Sequence, residues 1–212
     1  MAMTVEHWLA FAAASAVLLV IPGPTVLLVV SHALGHGRRA AAATVAGVAL
    51  GDLTAMTASM LGLGAVLAAS AVLFTILKWI GAAYLIFLGV KLWRAPAGDG
   101  FVAAQPAALS RGRMLWHAYA VTTLNPKSIV FFIAFVPQFL DANVPLAPQM
   151  ALFVATFVTL AAINASVYAI SAAAARRAVR KQSVQRLLNR AGGSLLIGAG
   201  LFAVLWKRVA TP

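Results

Sequence analysis

The 212-residue sequence predicts an all-α polytopic membrane protein of six transmembrane helices, a 3+3 inverted repeat in which helices one and four are broken. Three observations predict it. Hydrophobic residues make up 63% of the chain and charged residues 9%, whereas soluble domains are about half apolar and about a quarter charged. Six apolar runs approach the roughly 20 residues that a span requires. Two proline motifs, Ile21-Pro22-Gly23-Pro24 and Leu124-Asn125-Pro126-Lys127, fall inside such runs.

The first run, Trp8–Val30, follows a segment with Glu6 and no Lys or Arg. That reads as a retained span, because a cleaved signal has a basic leading region. Pro22 and Pro24 lie in its middle. Proline lacks a backbone donor and clashes with the preceding turn, and a bilayer tolerates the break only where the freed groups face protein or water. The second run, Ala43–Ala68, carries Asp52 after Gly47 and Gly51, whose spacing lets another helix approach closely. Only Ala69–Ser70 divides it from the third run, Ala71–Trp93, so five spans or a re-entrant segment is the alternative there. Lys78 and Tyr84 lie on the third run.

Residues 95–113, with Pro96, Gly98, Gly100 and Pro106, read as a flexible cytoplasmic linker. It joins halves of about 1–94 and 114–212 within one transmembrane domain. The fourth run, Leu115–Val136, holds the second proline motif, and the fifth, Met150–Ala174, has Asn164 midway, as Asp52 is midway through the second. Arg176 to Arg190 suffice as a retention signal that sets topology, or form a short basic helix on the cytoplasmic leaflet, each base near anionic lipid contributing roughly 1 kcal/mol. Leu188–Leu205 is the sixth run. An odd number of spans per half forces the second half to enter from the opposite side, so the repeat must be inverted.

Charge sets the orientation. Of the sixteen Lys and Arg residues, twelve lie in or beside the first, third and fifth connections, against none in the second and fourth. Those three connections are therefore cytoplasmic and both termini periplasmic, Lys207 and Arg208 notwithstanding. The same distribution accounts for the net charge of +12 without nucleic acid. With no cysteine, disulfides, thiolate metal sites and thiol catalysis are excluded.

Asp52 is the strongest candidate for chemistry. A charged Asp near the bilayer centre costs at least about 2.5–3.5 kcal/mol, so intramembrane acids mark ion or substrate pathways unless they pair structurally. Lys127 is its natural counter-ion: a substrate amine and carboxylate could compete with the two members, although a plain buried ion pair would look the same. Asn125 offers donors and an acceptor beside it. Pro126, and Pro22, Gly23 and Pro24 in the other break, leave backbone groups open to a substrate, or simply kink the helix. Lys78 is either part of the substrate or proton pathway or an interfacial anchor within snorkelling reach of the outer surface, and Tyr84 either lines the cavity or packs. His32 and His36 are one turn apart, but two ligands make a poor metal site, and they read as interfacial polar residues. No nucleophile–base pair or phosphate loop appears; the sequence predicts neither an enzyme nor a cofactor.

Several segments in order resemble the LysE/RhtB family of bacterial amino-acid exporters. They are Ile21-Pro22-Gly23-Pro24 with Gly35-His36-Gly37, Ala46-Gly47 through Gly51-Asp52, Lys78-Trp79-Ile80-Gly81 through Tyr84-Leu85 to Gly89, and Leu124-Asn125-Pro126-Lys127 with Phe131-Phe132. The resemblance implies an inner-membrane exporter of amino acids or close derivatives that exchanges substrate for protons, through Pro22, Gly23, Pro24, Asp52, Asn125, Pro126 and Lys127. Relatives in that family export basic amino acids, threonine, homoserine, its lactone, or branched and sulfur-containing residues. One buried acid cannot balance a dication, so neutral amino acids are favoured here. The alternatives are a passive channel or an exporter of another small solute or cation, and a homo-oligomer is left open.

Overall fold

The computed structural model describes residues 5–69, 71–95, 109–140, 144–172 and 181–205, and those residues form helices and the short breaks between them, without a strand. The helices are α1 (Val5–Val20), α2 (Pro24–Ala69), α3 (Ala71–Trp93), α4 (Arg111–Thr123), α5 (Pro126–Ala134), α6 (Leu146–Ile170) and α7 (Gln182–Leu205). A 3-10 turn, Val136–Phe139, follows α5.

Among the described residues, Ala41–Gly62 and Leu146–Ile170 are each long and apolar enough to cross a membrane. The bent pair Val5–Val20 and Pro24–Gly37, 56° apart, forms a third crossing if taken as one span. The apolar pattern is that of a membrane protein. On α6, Phe153, Phe157, Ala161, Ala165 and Ala169 are buried at one-turn spacing, while Leu152, Ile163, Val167 and Ile170 are exposed. A face this apolar on the outside is solvated by lipid.

Both proline motifs break their helices. Pro24 occupies the first position of α2, where its missing N–H costs nothing. Pro126 does the same for α5, behind the N-cap Asn125. Within α2, Gly37 interrupts the helix at φ 76°, ψ 177°, a conformation that only glycine takes without strain.

Several boundaries differ from the sequence reading. The fourth helix begins at Arg111 because Ser110 caps it, its side chain accepting from Arg113 N at 3.4 Å, so the end of the expected linker is helix. α5 stops at Ala134, where Pro137 converts the following turn to 3-10 geometry. α7 starts six residues early, at Gln182 rather than Leu188. Arg186 and Arg190 are therefore helical, and Arg190 lies over the Trp93 ring at 5.4 Å. Most of the linker, the rest of the expected basic helix and Ser70 lie outside the described residues.

Glycines set the close helix contacts. A Cβ on Gly51 would fall 2.8 Å from Thr122 Cβ and 2.9 Å from Tyr119 O, and one on Gly47 would overlap Leu115 O. The helix that Gly47 and Gly51 admit is thus α4. Likewise α3 and α7 meet through Gly89, Gly193 and Gly200, where added Cβ atoms would lie 2.6–2.7 Å from their nearest neighbours.

Candidate functional site

The two breaks meet. Asn125 Nδ2 donates to Thr25 Oγ1 at 3.3 Å, and that hydroxyl lies 3.3 Å from Thr122 Oγ1. Asn125 also caps α5, its Oδ1 accepting from Lys127 N at 3.1 Å, which fixes one of the orphan amides of the helix start.

The end of α1 poses the opposite problem. Its last carbonyls have no intrahelical donor, and Pro22 and Pro24 remove the amides that would have served Leu18 and Val20. Side chains from the second half fill the gap. Lys127 Nζ donates to Leu18 O and to Ile21 O, both at 2.9 Å. Asn164 Nδ2 donates to Leu19 O at 3.0 Å, and Tyr168 O–H to Val20 O at 2.8 Å. Four successive carbonyls are thereby satisfied by three side chains.

Between these groups lies a cavity of about 30 Å³, lined by Thr25, Asp52, Asn125, Lys127, Ser128 and Asn164 together with Leu18, Leu19, Gly23 and apolar neighbours. That volume holds water but not an amino acid. Asp52 is 2% exposed. Among the described residues, no hydrogen-bond donor within 3.5 Å or cation within 4.0 Å reaches its carboxylate. The expected direct ion pair with Lys127 is therefore not formed, because the ammonium is committed to the α1 carbonyls. The two charges share the cavity instead.

Apolar clusters flank the cavity along the helices. One turn beyond Asp52, Lys127 and Ala161 come Met56, Phe131 and Phe157, part of a buried cluster with Phe11, Phe139 and Phe153. Phe11 and Phe153 have ring centroids 4.3 Å apart. In the other direction, Val29, Val48, Ala118 and Ala165 form a second cluster.

Of the residues expected at the site, Asp52, Asn125, Lys127 and Gly23 line the cavity. Pro22, Pro24 and Pro126 shape it from the breaks without lining it. Tyr84 is on the exposed side of α3 with its ring 6.0 Å from Phe87, away from the cavity lining. The side chain of Lys78 lies outside the described residues. Thr25, Ser128 and Asn164 are lining residues that the sequence reading did not place there. His32 is buried, and its Nδ1 lies 2.9 Å from Thr44 Oγ1. Among the described residues no cluster of metal-ligating side chains occurs.

A family model described as LysE type translocator matches residues 16–206. The chain is 38% identical to a homoserine/homoserine lactone efflux protein of Salmonella typhi, over 93% of this chain and 96% of that one. It is 34% identical to an uncharacterized membrane protein of Vibrio cholerae over 97% of this chain and 100% of that one. A leucine efflux protein of Salmonella choleraesuis is 30% identical over 60% of each chain. No solved structure matches. The family match spans both helix breaks and the polar cavity between them, and the chain belongs to the LysE type translocator family.

Proposed function

We propose that the protein exports amino acids or close derivatives with uncharged side chains across the bacterial inner membrane, in exchange for protons. The observation that carries this reading is the cavity itself, which holds one acid, Asp52, and one base, Lys127, among amide and hydroxyl groups. A zwitterion with a neutral side chain matches that pair charge for charge, whereas a dication such as lysine would lack a second counter-charge. Homoserine and leucine, named for the relatives, fit this class; homoserine lactone, whose carboxyl is an ester, would meet Asp52 through its ammonium alone.

Asp52 takes up the proton when no substrate ammonium is present and releases it when one binds. The breaks at Pro22–Pro24 and Asn125–Pro126 act as hinges, so that the aromatic cluster and the valine–alanine cluster open in turn. A passive channel needs a continuous water path, and the two apolar clusters speak against one.

The topology we propose is six spans in two inverted halves, about 1–94 and 114–212, with both termini periplasmic. Contacts among the connections support it: His36 Nε2 accepts from Leu109 N at 3.1 Å, and Asn189 Nδ2 donates to Ala95 O at 3.4 Å. Leu109 and Ala95, which flank the third connection, thus touch His36 ahead of the first connection and Asn189 in α7.

The test is accumulation of a panel of radiolabelled amino acids by everted membrane vesicles with an acidic lumen. Accumulation of neutral amino acids that collapses with the proton gradient is the expected result. Accumulation of lysine or arginine alone would contradict the charge argument.

A further inference from the structure

We propose that the last turn of α1 is a cation subsite for the α-ammonium group of the transported amino acid, and that in this conformation the chain's own Lys127 ammonium occupies it. The proposal rests on the exporter reading above and adds where the substrate amine sits and what it displaces.

The chemistry begins with the carbonyls. A helix C-terminus carries a partial negative charge on its unpaired oxygens, and half-helix ends of this kind coordinate cations in other transporters. Here Pro22 deprives Leu18 O of its donor, and Leu18 O and Ile21 O each lie 2.9 Å from Lys127 Nζ. Leu19 O and Val20 O, by contrast, are held by the neutral donors of Asn164 and Tyr168. The turn therefore sorts its four carbonyls into two bound by neutral groups and two reserved for a cation.

A second observation points to the same ligand. The Asp52 carboxylate is 2% exposed and lines the same cavity as Leu18 and Lys127. Among the described residues no hydrogen-bond donor or cation touches it directly, and the charge that acts on it is the Lys127 ammonium at longer range. A buried carboxylate with no donor in direct contact, beside a carbonyl pair, is half of an ammonium site. Gly23 borders the occupant: a Cβ there would stand in ordinary van der Waals contact with Lys127 Nζ, at 3.5 Å.

A lysine ε-ammonium and an amino-acid α-ammonium are the same group, a primary ammonium with three donors. Exchange between them balances. The substrate carboxylate draws the Lys127 ammonium off Leu18 and Ile21, and the substrate ammonium takes the vacated carbonyls with Asp52 as counter-charge. The proton that Asp52 holds without substrate leaves as the substrate ammonium arrives, so in the loaded site the zwitterion meets Asp52 and Lys127 as two opposite-charge pairs.

The experiment is thermal unfolding of purified Lys127→Ala at fixed ionic strength in methylammonium, sodium or N-methyl-D-glucamine chloride. The expected result is a saturable rise in Tm of about 3–6 °C in methylammonium over N-methyl-D-glucamine for the variant, with the wild type unmoved. Lys127→Met, which keeps the apolar stem, should behave likewise. A rise in sodium alone would overturn the ammonium assignment. No rise in any salt, or failure of both variants to fold in all three, would show that the turn cannot use an untethered cation and would overturn the subsite. Amino-acid accumulation by wild-type vesicles, measured in parallel, separates failure of the subsite from failure of the exporter reading.

Discussion

Asn125 donates from Nδ2 to the hydroxyl of Thr25 across 3.3 Å, joining residues a hundred positions apart. Each belongs to a proline break, so the breaks are one polar junction. Asn125 does two jobs there, capping α5 and bridging to α2. They are separable. Asn125→Ser keeps a side-chain oxygen for the cap and loses the bridge. It should retain stability close to wild type and transport at least tenfold more slowly. Asn125→Ala loses both and should be destabilised by about 1 kcal/mol in addition. Thermal unfolding and vesicle uptake on the two variants together check the division.

The approach of α2 to α4 rests on missing side chains. Gly51→Ala places a Cβ within 3 Å of Thr122 and of the Tyr119 carbonyl, and backbone cannot move aside as a flexible side chain can. A loss of about 1–3 kcal/mol is expected. Gly62→Ala, on the same helix with nothing within 4 Å, is the control, and should gain up to about 1 kcal/mol from helix propensity. Equal behaviour of the two variants in thermal unfolding would contradict the close contact.

The carbonyls at the end of α1 depend on donors from α6. Tyr168→Phe removes only the hydroxyl that serves Val20 O and should cost about 0.5–1.5 kcal/mol. Asn164→Leu leaves Leu19 O without its donor and puts an apolar group into the cavity, costing about 1–3 kcal/mol. Because Asn164 lines the cavity and Tyr168 does not, only the Asn164 variant should also raise the KM for transport. A comparable KM change in both would argue that the cavity boundary is drawn wrongly.

Much of this arrangement is written in the sequence. Proline at positions 22, 24 and 126 dictates where the helices break, whatever surrounds them, and Gly47 and Gly51 announce a close neighbour. Asp52 stands out because a lone acid in an apolar run is costly unless it is paired or put to use. What is not legible is who satisfies whom. The sequence pairs Lys127 with Asp52 on charge alone, while the fold gives its ammonium to Leu18 O and Ile21 O. A clue was present: Pro22 and Pro24 leave Leu18 and Val20 without donors, so donors had to come from elsewhere, and Asn164 and Tyr168 were available. Tyr84 shows the converse, since a polar aromatic on an apolar helix looks the same whether it faces the cavity or the lipid. His32 likewise gives no sign in sequence that Thr44, twelve residues on, will bury it with a hydrogen bond.

Proton coupling through Asp52 is the central claim, and Asp52→Asn tests it most directly because the amide matches the carboxylate in shape but cannot titrate. The measurement is uptake of a neutral amino acid into everted vesicles, for wild type and variant, with and without an acidic lumen. Wild type should accumulate substrate only with the gradient, while the variant, inserted and folded to the same level, should show no gradient-driven accumulation. Full gradient-driven accumulation by Asp52→Asn would remove Asp52 from the mechanism.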